Sequence, residues 1–206
     1  MPFLVDDVAR EVALRQWALP ECLHVPTAAV DEAALTAYVG EIVQVLAAGS
    51  RRKAFLIRTK EPPPIDERLP VWGRPGAAIL HERLQVWVHI AFTRYRPAYH
   101  EAFPDHQIDG QVLSHALNRR TAALMGFNYV RITPNSRGCN SSSGFSEQWG
   151  VDLHASPSQM AANRRRGAFI HYADLVSLMV MLDMKPGGGF MDAVNEAQAL
   201  VRPRRV

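Results

Sequence analysis

Residues 109–133, DGQVLSHALNRRTAALMGFNYVRIT, decide how this chain is read. Val112, Leu113, Leu117 and Leu124 recur at helical spacing, so the pattern predicts a helix over 109–125. Gly126 stands where a helix closes on a left-handed residue. Residues 127–133 then alternate apolar and polar side chains and are rich in β-branched and aromatic types, which predicts a strand. Helix, glycine cap and strand in succession imply helices packed on a sheet.

The same reading extends outward. Leu4, Val5, Val8, Val12 and Leu14 predict an amphipathic helix over 4–19, stopped by Pro20. Leu35, Val39, Ile42, Val43 and Leu46 form a second helical stripe, with Asp31 and Glu32 near its start and Gly49 as its cap. Ala54-Phe55-Leu56-Ile57, flanked by cations, predicts a strand over 51–60. Ile79, Leu80, Leu84, Val88 and Phe92 predict a helix over 78–95, ended by Pro97. Further helices are predicted from Ser156-Pro157 to Arg166, over the apolar run 171–184, and over 190–201. The stretch 61–76, EPPPIDERLPVWGRPG, holds five prolines and cannot be regular structure.

These elements predict an α+β fold, with α/β as the alternative: a helix-rich single domain with a small sheet and an N-terminal helical segment. Its parts are a helical segment ending in a short strand (1–60), a Pro-rich linker or loop (61–78) and a main α/β domain (79–206).

The composition is that of a folded globular protein, 48% hydrophobic and 21% charged over 206 residues. No apolar run reaches the ~20 residues that span a bilayer, so no membrane partner is expected. Two distant cysteines, Cys22 and Cys139, do not make a disulfide framework. The acidic residues of MPFLVDDVAREVALRQW are unlike a secretory leader, and the expected location is the cytoplasm. The formal charge is +3, and all 23 cations are Arg except Lys53, Lys60 and Lys185. Arg offers a planar fork suited to phosphate and carboxylate, although an Arg-rich codon bias gives the same count.

The densest polar cluster is HEAFPDHQIDGQVLSH, with His100, Glu101, Asp105, His106, Asp109 and His115 inside residues 100–115. Such side chains serve as metal ligands and general bases. His106, Asp109 and His115 are the candidate catalytic groups. Asp105, His106 and Asp109 are the candidate ligands for a divalent metal. On a helix over 109–125, His115 and Asn118 would share a face.

A polar loop is expected at 134–150, PNSRGCNSSSGFSEQWG, where small residues let backbone N–H groups and hydroxyls meet an anion. Arg119, Arg120, Arg137, Asn140, Ser141 and Ser142 are the candidate phosphate-holding residues. Matching helix and strand lengths would fold this loop back beside His106 and His115, in one cleft. Further Arg clusters lie at 51–52, 164–166 and 202–205. Lys185-Pro186-Gly187-Gly188-Gly189 is a turn, or a weak phosphate cradle.

The expected function is that of a nucleic-acid-acting protein, a metal-assisted phosphodiesterase or nuclease in its sharpest form. The alternative is a non-enzymatic interaction module, an adaptor, inhibitor or assembly subunit whose Arg patches meet a protein partner.

Overall fold

The structure is a computed structural model that describes residues 25–60, 82–106, 108, 110–142, 151–152, 155–173, 177 and 181. Its elements are β1 (Pro26–Ala29), α1 (Glu32–Ala34, continuing as a wide turn Leu35–Val39), β2 (Gly40–Gly49), β3 (Arg52–Thr59), β4 (Leu84–His89), α2 (Tyr95–Ala102), β5 (Gln111–His115), α3 (Arg119–Met125), β6 (Tyr129–Ser136), α4 (Arg137–Ser142), α5 (Pro157–Arg166) and β7 (Ile170–Tyr172). The strands form one sheet in the order β2-β3-β4-β6-β1-β7, with β5 also on β6. All pairs are antiparallel. The sheet curls into a half-barrel; strand (39%) outweighs helix (34%), so the helix-rich expectation is corrected.

Three predicted helices prove to be strands or to contain them, each for a local reason. The stripe in 35–46 arises because β2 carries two irregularities, between Ile42 and Gln44 and between Val45 and Ala47. Each bulge adds a residue and resets the alternation. Val43, Leu46 and Ala47 therefore pack on one core and Ile42 on the other, which imitates a period near four. In β4, Gln85, Val86, Trp87 and Val88 are all buried because both sheet faces are covered, so the alternation of a half-exposed strand is missing. Residues 109–125 divide into β5 and α3. Pro97 sits in the first turn of α2, where its missing N–H has no partner to lose. It begins a helix rather than ending one.

Other predictions hold. β3 and β6 are strands, Gly126 caps α3 with φ +90°, and Ser156 caps α5 by accepting from the Gln159 N–H. The helix predicted over 171–184 is corrected at its start, because residues 171–172 belong to β7, while Ser177 and Met181 are helical and buried. Leu175, Leu178, Met179 and Leu182 lie outside the described residues. So do the predicted helices 4–19 and 190–201, the Pro-rich stretch and the Lys185 turn.

Each sheet face carries its own core. Val86, Val88, Val130 and Ile132 pack with Tyr99 of α2 and Ala122 of α3 on one side. Phe55, Ile57, Trp87 and Tyr129 pack with Leu35 and Val39 on the other. Glu32 ties α1 to the sheet: it accepts from Lys53 Nζ at 2.5 Å and from the Tyr129 hydroxyl at 2.9 Å. The Lys53 bond holds the Glu32 carboxyl below its ordinary range.

Gly40 marks the closest backbone approach. A Cβ built there would lie 1.9 Å from the Arg58 carbonyl oxygen, so the two strands could not keep their pairing. Gly40→Ala is expected to cost about 1–3 kcal/mol through overpacking. A lower urea midpoint with an unchanged slope will show it; an unchanged midpoint would mean that β2 yields freely.

Candidate functional site

β5 pairs with β6 from Gln111↔Ser136 to His115↔Ile132. This register carries the start of β5 to the end of β6, where α4 begins. Ala116 and Leu117 then turn the chain into α3, and Asn118 caps it, its side-chain oxygen accepting from the N–H groups of Arg120 (2.9 Å) and Thr121 (3.4 Å). The cap fixes Arg119 and Arg120 in the first turn. Arg119 also donates to the Ile90 carbonyl at 3.5 Å.

These constraints shape a pocket of about 340 Å³ between α2, β5, α3 and α4. It is lined by Tyr95 and Arg96 of α2, Val112–His115 of β5, Asn118, Arg119, Arg120, and Asn140 of α4. Three guanidinium groups and two carboxamide side chains thus converge, with no carboxylate in the lining among the described residues. Such donors match an anion, above all a phosphate oxygen.

His115 is the titratable group at the centre. Its ring meets the Tyr95 ring edge-on, with centroids 4.7 Å apart. Its Nε2 is shut off from solvent and meets no hydrogen-bond partner among the described residues. Burial, followed by the charge of Arg119, pushes its pKa down to about 4. The imidazole is therefore neutral at pH 7.

The expected single cleft is split. His115, Arg119, Arg120 and Asn140 share this pocket, whereas Asp105 and His106 line another, with Glu82, Arg83, Leu84, Tyr99, Ala102, Phe103 and Pro104. The single cleft presumed a long helix over 109–125, but β5 takes the first half of that stretch. His115 ends a strand and Asn118 caps a helix, so they share no helical face. The expected loop at 134–150 is also corrected at its start, because β6 runs on to Ser136 and α4 follows at once.

Arg137 is exposed and outside the pocket lining. Ser141 and Ser142 belong to α4. Asp109 lies outside the described residues, and among those described no three His, Cys, Asp or Glu side chains gather as a metal site. His100 and Glu101 are exposed on α2, where Glu101 accepts from Gln44 at 3.3 Å.

Arg96 and Ser114 were not among the sequence candidates. Tyr95-Arg96 stood at the end of a presumed helix, and only Pro97 three residues into α2 signals that they open one.

Comparison with protein-family models, with curated proteins and with solved structures finds no match. Among the described residues no helix is long and apolar enough to cross a membrane.

The neutral His115 links stability to pH. Its folded pKa lies below the unfolded value of about 6.5, so between pH 6.5 and 4 the unfolded chain binds a proton that the folded chain refuses. Stability should fall by up to about 3 kcal/mol on acidification from pH 7 to 4. Urea midpoints across that range will measure it. His115→Phe, which keeps a ring on Tyr95 and cannot titrate, should flatten the dependence; an unchanged profile would place the effect elsewhere.

Proposed function

We propose that the protein binds nucleic acid and seats a backbone phosphate in the pocket formed by Arg96, Arg119, Arg120, Asn140 and His115. The observation that carries this reading is the convergence of three arginines on one concave site that, among the described residues, holds no carboxylate. A phosphate held there receives charge-assisted bonds from planar forks, the strongest neutral-pH arrangement for that ligand.

A polymer fits better than a small free anion. Arg94, Arg96, Arg120 and Arg137 are exposed on α2, α3 and α4 or their caps, the segments that border the pocket. Cations along a rim engage successive phosphates, and a chain of phosphates releases counterions as it binds. His115 supplies a neutral imidazole whose Nε2 faces no competing partner among the described residues. An entering phosphate raises the proton affinity of that ring, so ligand and proton bind together. Because Nε2 is shut off from solvent and burial lowers the ring's proton affinity, the lining supports binding of the phosphodiester rather than its hydrolysis.

Affinity for a fluorescein-labelled single strand should fall steeply with salt, with a log–log slope of several units. Arg119→Ala with Arg120→Ala should weaken binding and lessen that slope by about one to two units. In NMR titrations with inorganic phosphate, the pKa of the His115 ring should rise by about one unit, since the anion favours the charged ring. No binding at low salt, or a slope untouched by the double variant, would overturn the proposal.

A further inference from the structure

The second pocket opens on the same helix. Tyr95 lines the phosphate pocket and Tyr99 lines the other, and the two are one turn apart, about 6 Å along the axis of α2. Its volume, about 610 Å³, is that of a small-molecule site. Leu84, Ala102, Phe103 and Pro104 make much of its wall apolar, and the half-buried Phe103 ring packs on Tyr99 with centroids 5.0 Å apart. The charged and titratable groups of the lining are mixed: Glu82, Arg83, Asp105 and His106. Glu82 is already committed, its carboxylate meeting the buried Arg131 at 3.2 Å. An ion of either sign would meet its own charge here. An uncharged, planar ring with polar edges meets none.

The free edge of the pocket has a defined polarity. The Tyr99 side chain is buried, and its hydroxyl lies 3.0 Å from His106 Nδ1, which leaves Nε2 as the ring nitrogen that can meet a ligand. When the hydroxyl donates to Nδ1, Nε2 carries the ring proton and is a donor. Asp105 is exposed and makes no hydrogen bond among the described residues, so both its oxygens are open to accept. Both side chains line this pocket, and in that tautomer they offer it a carboxylate acceptor and an N–H donor. The Watson–Crick edge of guanine is the complement: N1–H and the 2-amino group donate, and O6 accepts. Adenine offers one donor on that edge, and thymine puts a second acceptor, O2, where guanine carries its 2-amino group.

We propose that this pocket is a base-reading subsite that selects guanine, with Asp105 accepting from N1–H and the 2-amino group, His106 donating to O6, and Phe103 stacking on the ring. The inference rests on the phosphate reading of the neighbouring pocket and makes the ligand a single strand, because in a duplex that edge is already paired. Base–aromatic stacking and a bidentate edge contact are the usual components of such recognition.

The test uses labelled thymidine octamers carrying one central guanine, adenine or hypoxanthine, or none, with fluorescence anisotropy as the readout. The guanine octamer is expected to bind about tenfold tighter than the all-thymine one, the scale of one bidentate contact. Hypoxanthine, which lacks the 2-amino group, should lose most of that gain. Asp105→Ala should reduce the preference for guanine to less than twofold. Equal binding of all four octamers, each weakened by Arg119→Ala with Arg120→Ala, overturns the base subsite and leaves the phosphate pocket standing. A preference for guanine that Asp105→Ala abolishes, in a protein whose affinity ignores the arginine variant, supports the subsite and removes the phosphate pocket. Failure of every octamer to bind at low salt overturns both.

Discussion

Strand β6 is bonded along both edges, and the rest of the structure hangs on that saturation. β4 occupies one edge from Tyr129 to Ile132; β1 and then β5 occupy the other. Buried backbone donors and acceptors must find partners, so a strand placed at the centre recruits neighbours on each side. Pro134 fits this arrangement. Because the Ala116 N–H bonds the Arg131 carbonyl, odd-numbered residues of β6 turn their polar groups toward β5, and residue 134 turns toward β4, whose pairing has already ended at Ile132. The missing donor therefore falls where no ladder needs it.

The two faces of β6 divide the work of the molecule. Val130 and Ile132 enter the core under α2 and α3. Arg131, Thr133 and Asn135 point to the opposite side and are equally buried. Arg131 is answered by Glu82, while Thr133 Oγ1 and both polar side-chain atoms of Asn135 meet no hydrogen-bond partner among the described residues. Each such group costs about 1–3 kcal/mol, which the apolar layers must offset. Thr133 and Asn135 pair across the ladder with Ser114 and Val112, which line the arginine-rich pocket. The polar row and the pocket are thus built on the same pair of strands.

The candidate site was legible in its chemistry and not in its grouping. His115, Arg119, Arg120 and Asn140 carry the residue types that anion recognition needs, and they do meet. Their meeting depends on β5 pairing with β6 and on the Asn118 cap, not on the helix that the spacing of Val112, Leu113 and Leu117 suggested. His106 looked like a partner of His115 because the two lie nine residues apart. A strand, a turn and a tyrosine on each side send them to separate pockets, and Arg96 enters from a helix whose start only Pro97 announces.

What the sequence by itself determined are the features that local chemistry controls. Gly126 and Ser156 cap helices because their own backbone and side-chain preferences suffice there, and the apolar β-rich segments at β3 and β6 are strands in any context that buries them. Only the tertiary structure decided that β2, β4 and β5 are strands too. Bulges in β2 mimic a helical period, and burial of β4 on both faces erases the alternation that marks a strand. Whether Arg131, Thr133 and Asn135 face water or the interior is also a matter of what packs across the sheet, because a strand's alternation is the same in either case.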